Sequence, residues 1–395
     1  MNRVITLFFC IMFIIGTDTF IASPLLPTLR EAFGVSVERS GWIVSAYALG
    51  YALFALVAGP LSDGWNRKKV MIAGMASFGV FTLLCGVAAD FWTMLLFRFL
   101  AGVSGAFVSP QVWAAIPQIV PPGKVLKAMG IATAGLAVAQ MLGVPIGSYL
   151  AAFGWHTPFI AIGVASFMIM MLIALVLPSI PAPSAAGKAP SIVGRYRALL
   201  RESGAKKAFL AYFVFQLGNF ATFSFIGTWL SDKFGLGVAE IGTVLLFLGL
   251  GNTLSSFFGS SVVQRMGRNS FILGMVVLVL IFPSLSLMES ITYVKLAYFL
   301  IYFIMGMLFP LMMSLLQGLS STARGTISSL ANSSMYFGAT LASSVAGVLY
   351  TRLDGFVSVS LFTVLCFIVS LLLFLRSGVL PARSRSESRS AAVMK

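Results

Sequence analysis

Apolar residues run along this chain in blocks of about twenty, separated by short clusters of glycine, proline and charged residues. A helix rises about 1.5 Å per residue, so each block is long enough to cross the ~30 Å hydrocarbon core of a bilayer. Twelve blocks can be read, near residues 4–27, 40–62, 69–89, 91–116, 126–153, 156–178, 208–231, 239–263, 269–288, 293–318, 325–350 and 355–376. The pattern predicts an all-α membrane protein of twelve transmembrane helices. The first block follows Met-Asn-Arg as a secretory leader would. It lacks a convincing cleavage site and continues through DTFIASPLLP towards the second block, so it reads as a retained helix.

Composition agrees with the pattern. Apolar residues make up 59% of the chain and charged residues 9%, with a mean hydropathy of +0.99, far outside the soluble range. The net charge of +15 becomes informative once the bases are sorted by loop. With the amino terminus inside, twenty of the 26 Lys and Arg fall on the cytoplasmic side, five fall outside, and Arg98 lies within a span. The positive-inside rule therefore predicts a multi-pass protein of the cell (inner) membrane with both termini cytoplasmic. The bases are dispersed over many loops, which excludes nucleic-acid binding as the meaning of the high pI.

Candidate enzyme chemistry is sparse. Cys10, Cys85 and Cys366 all sit in apolar blocks, and His156 is the one histidine of the chain. No metal-ligand spacing, Ser-His or Cys-His set, or G-x-x-x-x-G-K-[ST] nucleotide loop appears. The expectation is a protein that is not an enzyme, has no cofactor or metal, and is not driven by ATP.

The blocks divide evenly. Residues 1–178 and 208–376 each carry six, joined by 179–207, a Pro/Ala/Ser segment followed by a basic stretch suited to anionic headgroups. The tail 377–395, PARSRSESRSAAVMK at its end, reads as disordered and cytoplasmic. Laid about 201 residues apart, the halves align: FGVSVERSG (33–41) meets FGLGVAEIG (234–242), so Gly34 pairs with Gly235 and Gly41 with Gly242. At the same offset Asp63 meets Gln264, Asn66 meets Gly267, and Arg67 meets Arg268. The reading is two pseudo-symmetric six-helix bundles.

Between the second and third blocks stands GPLSDGWNRKK (59–69), which resembles the signature loop of the major facilitator superfamily, G-x-L-[SA]-D-x-x-G-R-[RK]-x. Gly59, Leu61, Asp63, Arg67 and Lys68 match. Asn66 stands where that family has glycine, and asparagine tolerates a left-handed turn better than other side chains do. Asp63 at a helix end can cap a neighbour and pair with a base across the half's interface, so Gly59, Asp63, Arg67 and Lys68 form a candidate conformational latch. LLFRFLAGVSGA (95–106) resembles the fourth-helix R-x-x-x-G-x-x-G-A motif. GLAVAQMLGVPIGSYLAAFGW (135–155), with Gly143, Pro145 and Gly147, resembles the fifth-helix packing motif of proton-coupled antiporters, in which glycines permit close approach and the proline kinks the span. DTFIASPLLP (18–27) resembles the first helix of twelve-helix drug/H⁺ antiporters, and the region around LGVPIGSYL and FGWHTPF resembles the sugar (arabinose) efflux branch. The resemblance implies the major facilitator fold, whose halves are parallel six-helix repeats. It also implies secondary transport, with a small-molecule substrate, protons and the lipid bilayer as partners.

Polar residues near mid-membrane supply the candidate substrate cavity: Tyr47, Tyr51, Gln140, Gln216, Asn219, Phe223, Asn252, Asn332 and Tyr336. Gln216, Asn219 and Phe223 fall on one helical face, as do Tyr47 and Tyr51. The set suits a large, adaptable cavity for a weakly polar solute. Buried amides also serve as helix glue, which is the alternative for each of them.

Asp18 and Arg98 are candidates for proton coupling. Asp18 lies 14 residues above Val4, ~21 Å into the core, and Arg98 seven residues below Phe91, ~10 Å from the other face, so their heights match. Burial favours the protonated carboxyl and an adjacent guanidinium the ionised one, so moving the arginine would switch proton uptake. A static ion pair fixing helix packing is the alternative. The functional expectation is proton-coupled efflux of a drug-like or sugar-like solute by a monomer. Proton-coupled import, facilitation, or a non-transporting receptor on the same fold are the other readings.

Overall fold

In the computed structural model the described residues are 2–62, 65–121, 124–180, 191–266, 268–320 and 323–380. They are helical throughout apart from short connections. The helices are α1 (Asn2–Phe33), α2 (Val37–Ser40), α3 (Trp42–Ser62), α4 (Arg67–Cys85), α5 (Phe91–Ile119), α6 (Val125–Val138), α7 (Val144–Ala151) and α8 (Thr157–Val176). After them come α9 (Ile192–Leu199), α10 (Ala205–Phe234), α11 (Val238–Met266), α12 (Arg268–Leu285), α13 (Ile291–Gln317), α14 (Arg324–Arg352) and α15 (Phe356–Ser377). Much of the expected linker and most of the expected tail lie outside the described residues.

All twelve blocks form helices. Ten stretches are long and apolar enough to span a bilayer by length and composition, counted over the described residues. The other two depart for physical reasons. In α12 the apolar stretch is short, Asn269–Leu285. In α14 the 29 residues include many Ser, Thr, Gly and Asn, because the helix packs on α3 and α10 and needs little lipid-facing surface. The outward faces elsewhere are oily: Leu175, Leu280 and Phe153 are largely exposed, as lipid contact requires. With each of the twelve helical blocks crossing once, Asn2 and Ser377 fall on one face, called here the terminal face.

The two halves repeat in three dimensions. Gly34 ends α1 at φ 61° and Gly235 ends α10 at φ 66°, left-handed positions that glycine occupies without a Cβ penalty. A Cβ on Gly50 would stand 2.2 Å from the Phe99 carbonyl oxygen, and one on Gly251 2.2 Å from that of Phe299. These are equivalent contacts of α3 with α5 and of α11 with α13. Hence the helices of each half can only close with glycine there.

Contacts between the halves involve α3 with α14, α1 with α10, and α6 and α7 with α11. Their tight points run from mid-membrane towards the face opposite the termini. Ser45 donates to the Thr340 carbonyl at 2.8 Å, Ser333 to the Ala52 carbonyl at 2.9 Å, and Ser23 to the Phe223 carbonyl. Glu38 and Arg352 add an ion pair at 3.8 Å, which solvent exposure makes weak. On the terminal face α9 lies under the bundle, where Tyr196 donates to the Leu56 carbonyl at 2.9 Å. Burial raises that phenol above its ordinary value, which keeps it a neutral donor.

Candidate functional site

Asp18 and Arg98 meet in the middle of the amino-terminal half. Arg98 Nη1 donates to Asp18 Oδ2 at 2.9 Å, and Nη2 reaches the Asp18 carbonyl oxygen at 3.3 Å. Both side chains are fully buried. The other carboxyl oxygen of Asp18 and the Arg98 Nε have no hydrogen-bond partner among the described residues. Removing two charges from water is costly, and a pair with unmet hydrogen-bonding capacity recovers only part of that cost. Depth counting anticipated the meeting; it could not anticipate the third member. The Arg98 guanidinium lies over the Tyr47 ring, 4.5 Å from its centre, and Phe159 stands 6.0 Å away on another side. Thr19, next to Asp18, donates to the Tyr47 hydroxyl at 3.0 Å. The repeat offset puts Asn219 and Phe299 where the second half would hold this pair, so among the described residues the buried ion pair belongs to one half alone.

Tyr47 also faces the junction of the halves. Its ring is 6.5 Å from both Tyr51 and Tyr336, and Tyr51 stacks on Tyr336 at 3.8 Å. Thr19, Tyr47, Phe223 and Tyr336 line a small internal space of about 10 Å³ here. That is room for about one water. In this conformation Tyr47, Tyr51, Phe223 and Tyr336 are buried where the halves press together, and Gln216 is buried within the carboxyl-terminal half, so the space between them is small. Asn219 and Asn332 are half-buried.

The amides divide into two environments. Asn252 donates to Gln140 at 2.6 Å, joining α11 to the other half. Gln216 instead donates to Tyr212 at 3.0 Å within α10. Gln140 lies in a π-helical segment, Ala139–Gly143, between α6 and α7. The sequence pointed to a proline kink there; the structure places a π-turn before Pro145, a feature that inserts one residue and re-aims side chains. Gly143 and Gly147 lie against α1, where a Cβ would meet Thr17 Oγ1 at 2.1 Å and Ile21 Cδ1 at 2.6 Å.

The signature loop is described in part. Asp63 lies outside the described residues, and Gly59 falls in the last turns of α3. Arg67 is buried and donates to Gln111 Oε1 at 2.9 Å, while Lys68 donates to the Ala174 carbonyl at 2.7 Å. Both of these bonds stay within the amino-terminal half, tying α4 to α5 and α8. Asn66 does not adopt the left-handed turn expected of it. At φ −63° its side chain accepts from Lys68 N and caps α4.

Residues absent from the sequence reading complete the junction. Phe20 meets Phe223 edge-on at 5.7 Å across the halves, and Ser45 meets the Ser343 hydroxyl at 2.5 Å. A serine or phenylalanine in an apolar block carries no signal that separates it from ordinary packing, so only the repeat and the paired heights were legible.

Residues 8–205 and 208–394 match the family model of the Major Facilitator Superfamily. An uncharacterized MFS-type transporter of Bacillus subtilis (strain 168), YceJ, is 52% identical over 95% of this chain and 96% of its own length. The 4-hydroxybenzoate transporter PcaK of Acinetobacter baylyi is 30% identical over 43% of this chain and 37% of its own. A chloramphenicol resistance protein of Streptomyces lividans is 27% identical over 64% of this chain and 63% of its own. Among solved structures, a bacterial homologue of the human lysosomal transporter Spinster, inward-facing and unoccupied, superposes with a TM-score of 0.75 at 16% identity. It covers 96% of this chain and 97% of its own, and shows the fold alone.

Proposed function

The chain belongs to the Major Facilitator Superfamily of membrane transporters, and from that premise we propose that it exports a small organic solute in exchange for protons, by alternating access. The observation that carries the proposal is the fully buried Asp18–Arg98 pair with one carboxyl oxygen unpartnered. An ionisable pair inside the hydrocarbon is expensive and marks function. Protonating Asp18 releases Arg98 from the carboxylate and leaves it held by the face of Tyr47, over which it already lies. Tyr47 in turn touches the junction at which the halves must part to admit substrate. Proton uptake and the opening of that junction are thus one linked event.

The solute is drug-like and weakly polar. The junction offers aromatic rings, hydroxyls and amides, and Arg98 beside it is already paired. The chloramphenicol resistance relative fits this chemistry. A single aromatic acid is the second reading, favoured by the 4-hydroxybenzoate transporter relative. The protein works as a monomer in the cell membrane with both termini cytoplasmic, and Gly59, Asp63, Arg67 and Lys68 are the candidate latch of its other conformation.

Everted membrane vesicles test the proposal. An imposed gradient, acid inside, is expected to drive accumulation of chloramphenicol or a related amphipathic solute, and an uncoupler to abolish it. Accumulation that ignores the pH gradient, or uptake of 4-hydroxybenzoate only in right-side-out vesicles, overturns it.

A further inference from the structure

The outer surface of the amino-terminal half carries a groove of about 840 Å³ between α4 and α5. Its position along the helices is informative. It runs from Trp65 and Lys69 at the terminal face to Phe81. The twelve residues from Lys69 to Phe81 span ~18 Å at 1.5 Å each, close to one leaflet of a ~30 Å core.

The floor is made of small residues. Ala73, Gly74 and Ser77 of α4 face Ser104 of α5, with the Phe107 ring as a wall. Its hydroxyls are already used. Ser77 donates to the Gly74 carbonyl at 3.0 Å and Ser104 to the Leu100 carbonyl at 2.9 Å, each within its own helix. The floor therefore offers carbon surface and shape, with no donor left to orient a polar solute.

The mouth has the opposite character. Lys69 is exposed and has no ion-pair partner among the described residues. Its neighbour Lys68 is spent on the Ala174 carbonyl. Asn66 is spent too, donating to Ser179 at 2.7 Å and accepting from Lys68 N at 3.0 Å. What remains among the described residues is one ammonium and the indole N–H of Trp65, which is 55% exposed at the terminal face. Among the described residues no acidic side chain lines the groove to receive a choline or an ethanolamine.

We propose that this groove binds one acidic phospholipid, its acyl chain on the floor between α4 and α5 and its phosphate at Lys69 and Trp65. The length fits one chain of one leaflet, the floor fits methylenes, and the mouth fits an anion.

The test uses the full-length protein in phosphatidylcholine nanodiscs doped with phosphatidylglycerol brominated near the carboxyl end of its chains, against phosphatidylcholine brominated alike. The Trp65 signal is the difference between the native protein and Trp65→Phe. Phosphatidylglycerol is expected to quench it with about fivefold higher apparent affinity, the factor that corresponds to one lysine near an anionic headgroup. Lys69→Gln should remove that preference, and raising the salt should weaken it in the native protein. Ala73→Phe, at an exposed position, should fill the floor and lower quenching by both lipids. Equal quenching by the two lipids in the native protein overturns the proposal, as does a preference that survives Lys69→Gln. Displacement by brominated oleate at equal mole fraction reassigns the groove to free fatty anions, and displacement by chloramphenicol makes it a solute entry; either result also overturns it.

Discussion

The guanidinium of Arg98 lies 4.5 Å from the centre of the Tyr47 ring while bonded to Asp18 at 2.9 Å. One cation thus has two attractive partners on two helices, α1 and α3, and sits on a third, α5. A buried cation–π contact contributes about 2 kcal/mol or more when desolvated, comparable to a charged hydrogen bond. Neither partner dominates so far that the other is irrelevant. A proton on Asp18 removes the stronger electrostatic claim and leaves the aromatic one.

Tyr47→Leu should therefore tighten the hold of Arg98 on Asp18 and make the carboxyl harder to protonate. The half-maximal pH of transport is expected to move acid by about 1 unit, the equivalent of about 1.4 kcal/mol. Tyr47→Phe keeps the ring and loses only the Thr19 hydrogen bond, so its profile should stay near native. A pH series of flux rates in vesicles decides it; equal profiles for Leu and native would detach Tyr47 from the proton site.

Glycines within a half and between halves should behave differently. At Gly50 a Cβ meets the Phe99 carbonyl oxygen inside one bundle, so Gly50→Ala should yield little folded protein. At Gly249 a Cβ would lie 2.2 Å from Met141 Cα, across the two halves. Those halves can part, so Gly249→Ala should fold and disfavour this conformation by about 1–3 kcal/mol, the usual cost of overpacking. Ser45 and Ser344, whose hydroxyls are 3.1 Å apart, replaced by cysteines would report the shift as reduced cross-linking.

Much of the fold was legible because a bilayer imposes lengths on helices. The repeat was legible too, since Gly34 and Gly235 serve the same left-handed cap in both halves. The meeting of Asp18 with Arg98 followed from depth alone, because charges in hydrocarbon must find partners and few heights agree. Rotation about each helix was not legible, so the stacking of Arg98 on Tyr47 went unseen. The π-turn at Ala139–Gly143 was hidden for another reason: Pro145 and its flanking glycines fit an ordinary kink equally well. Closure at Tyr51 and Tyr336 depends on which conformation the halves adopt, a property of their contacts and not of any residue.

The bond between Asn252 and Gln140 at 2.6 Å should act on substrate choice. Gln140→Ala breaks it and leaves Asn252 facing the junction. If these amides contact solute, affinity should change unequally across a panel of drugs and aromatic acids. A uniform loss for every solute, with cross-linking of the halves reduced, would identify the pair as glue between the halves.

Asp18→Asn carries the sharpest test, because the static and the coupling readings diverge on a second substitution. The amide holds no exchangeable charge, so pH-driven accumulation is expected to vanish while substrate still binds. It also leaves Arg98 buried without its counter-charge, a loss on the order of 3–5 kcal/mol that should lower the unfolding temperature. Asp18→Asn combined with Arg98→Gln removes both charges and should recover most of that stability. If the pair only fixes helix packing, the double variant also recovers pH-driven accumulation. If Asp18 carries the proton, the double variant is stable, binds substrate and still fails to concentrate it. Thermal unfolding and gradient-driven flux measured on the same three proteins separate the two outcomes.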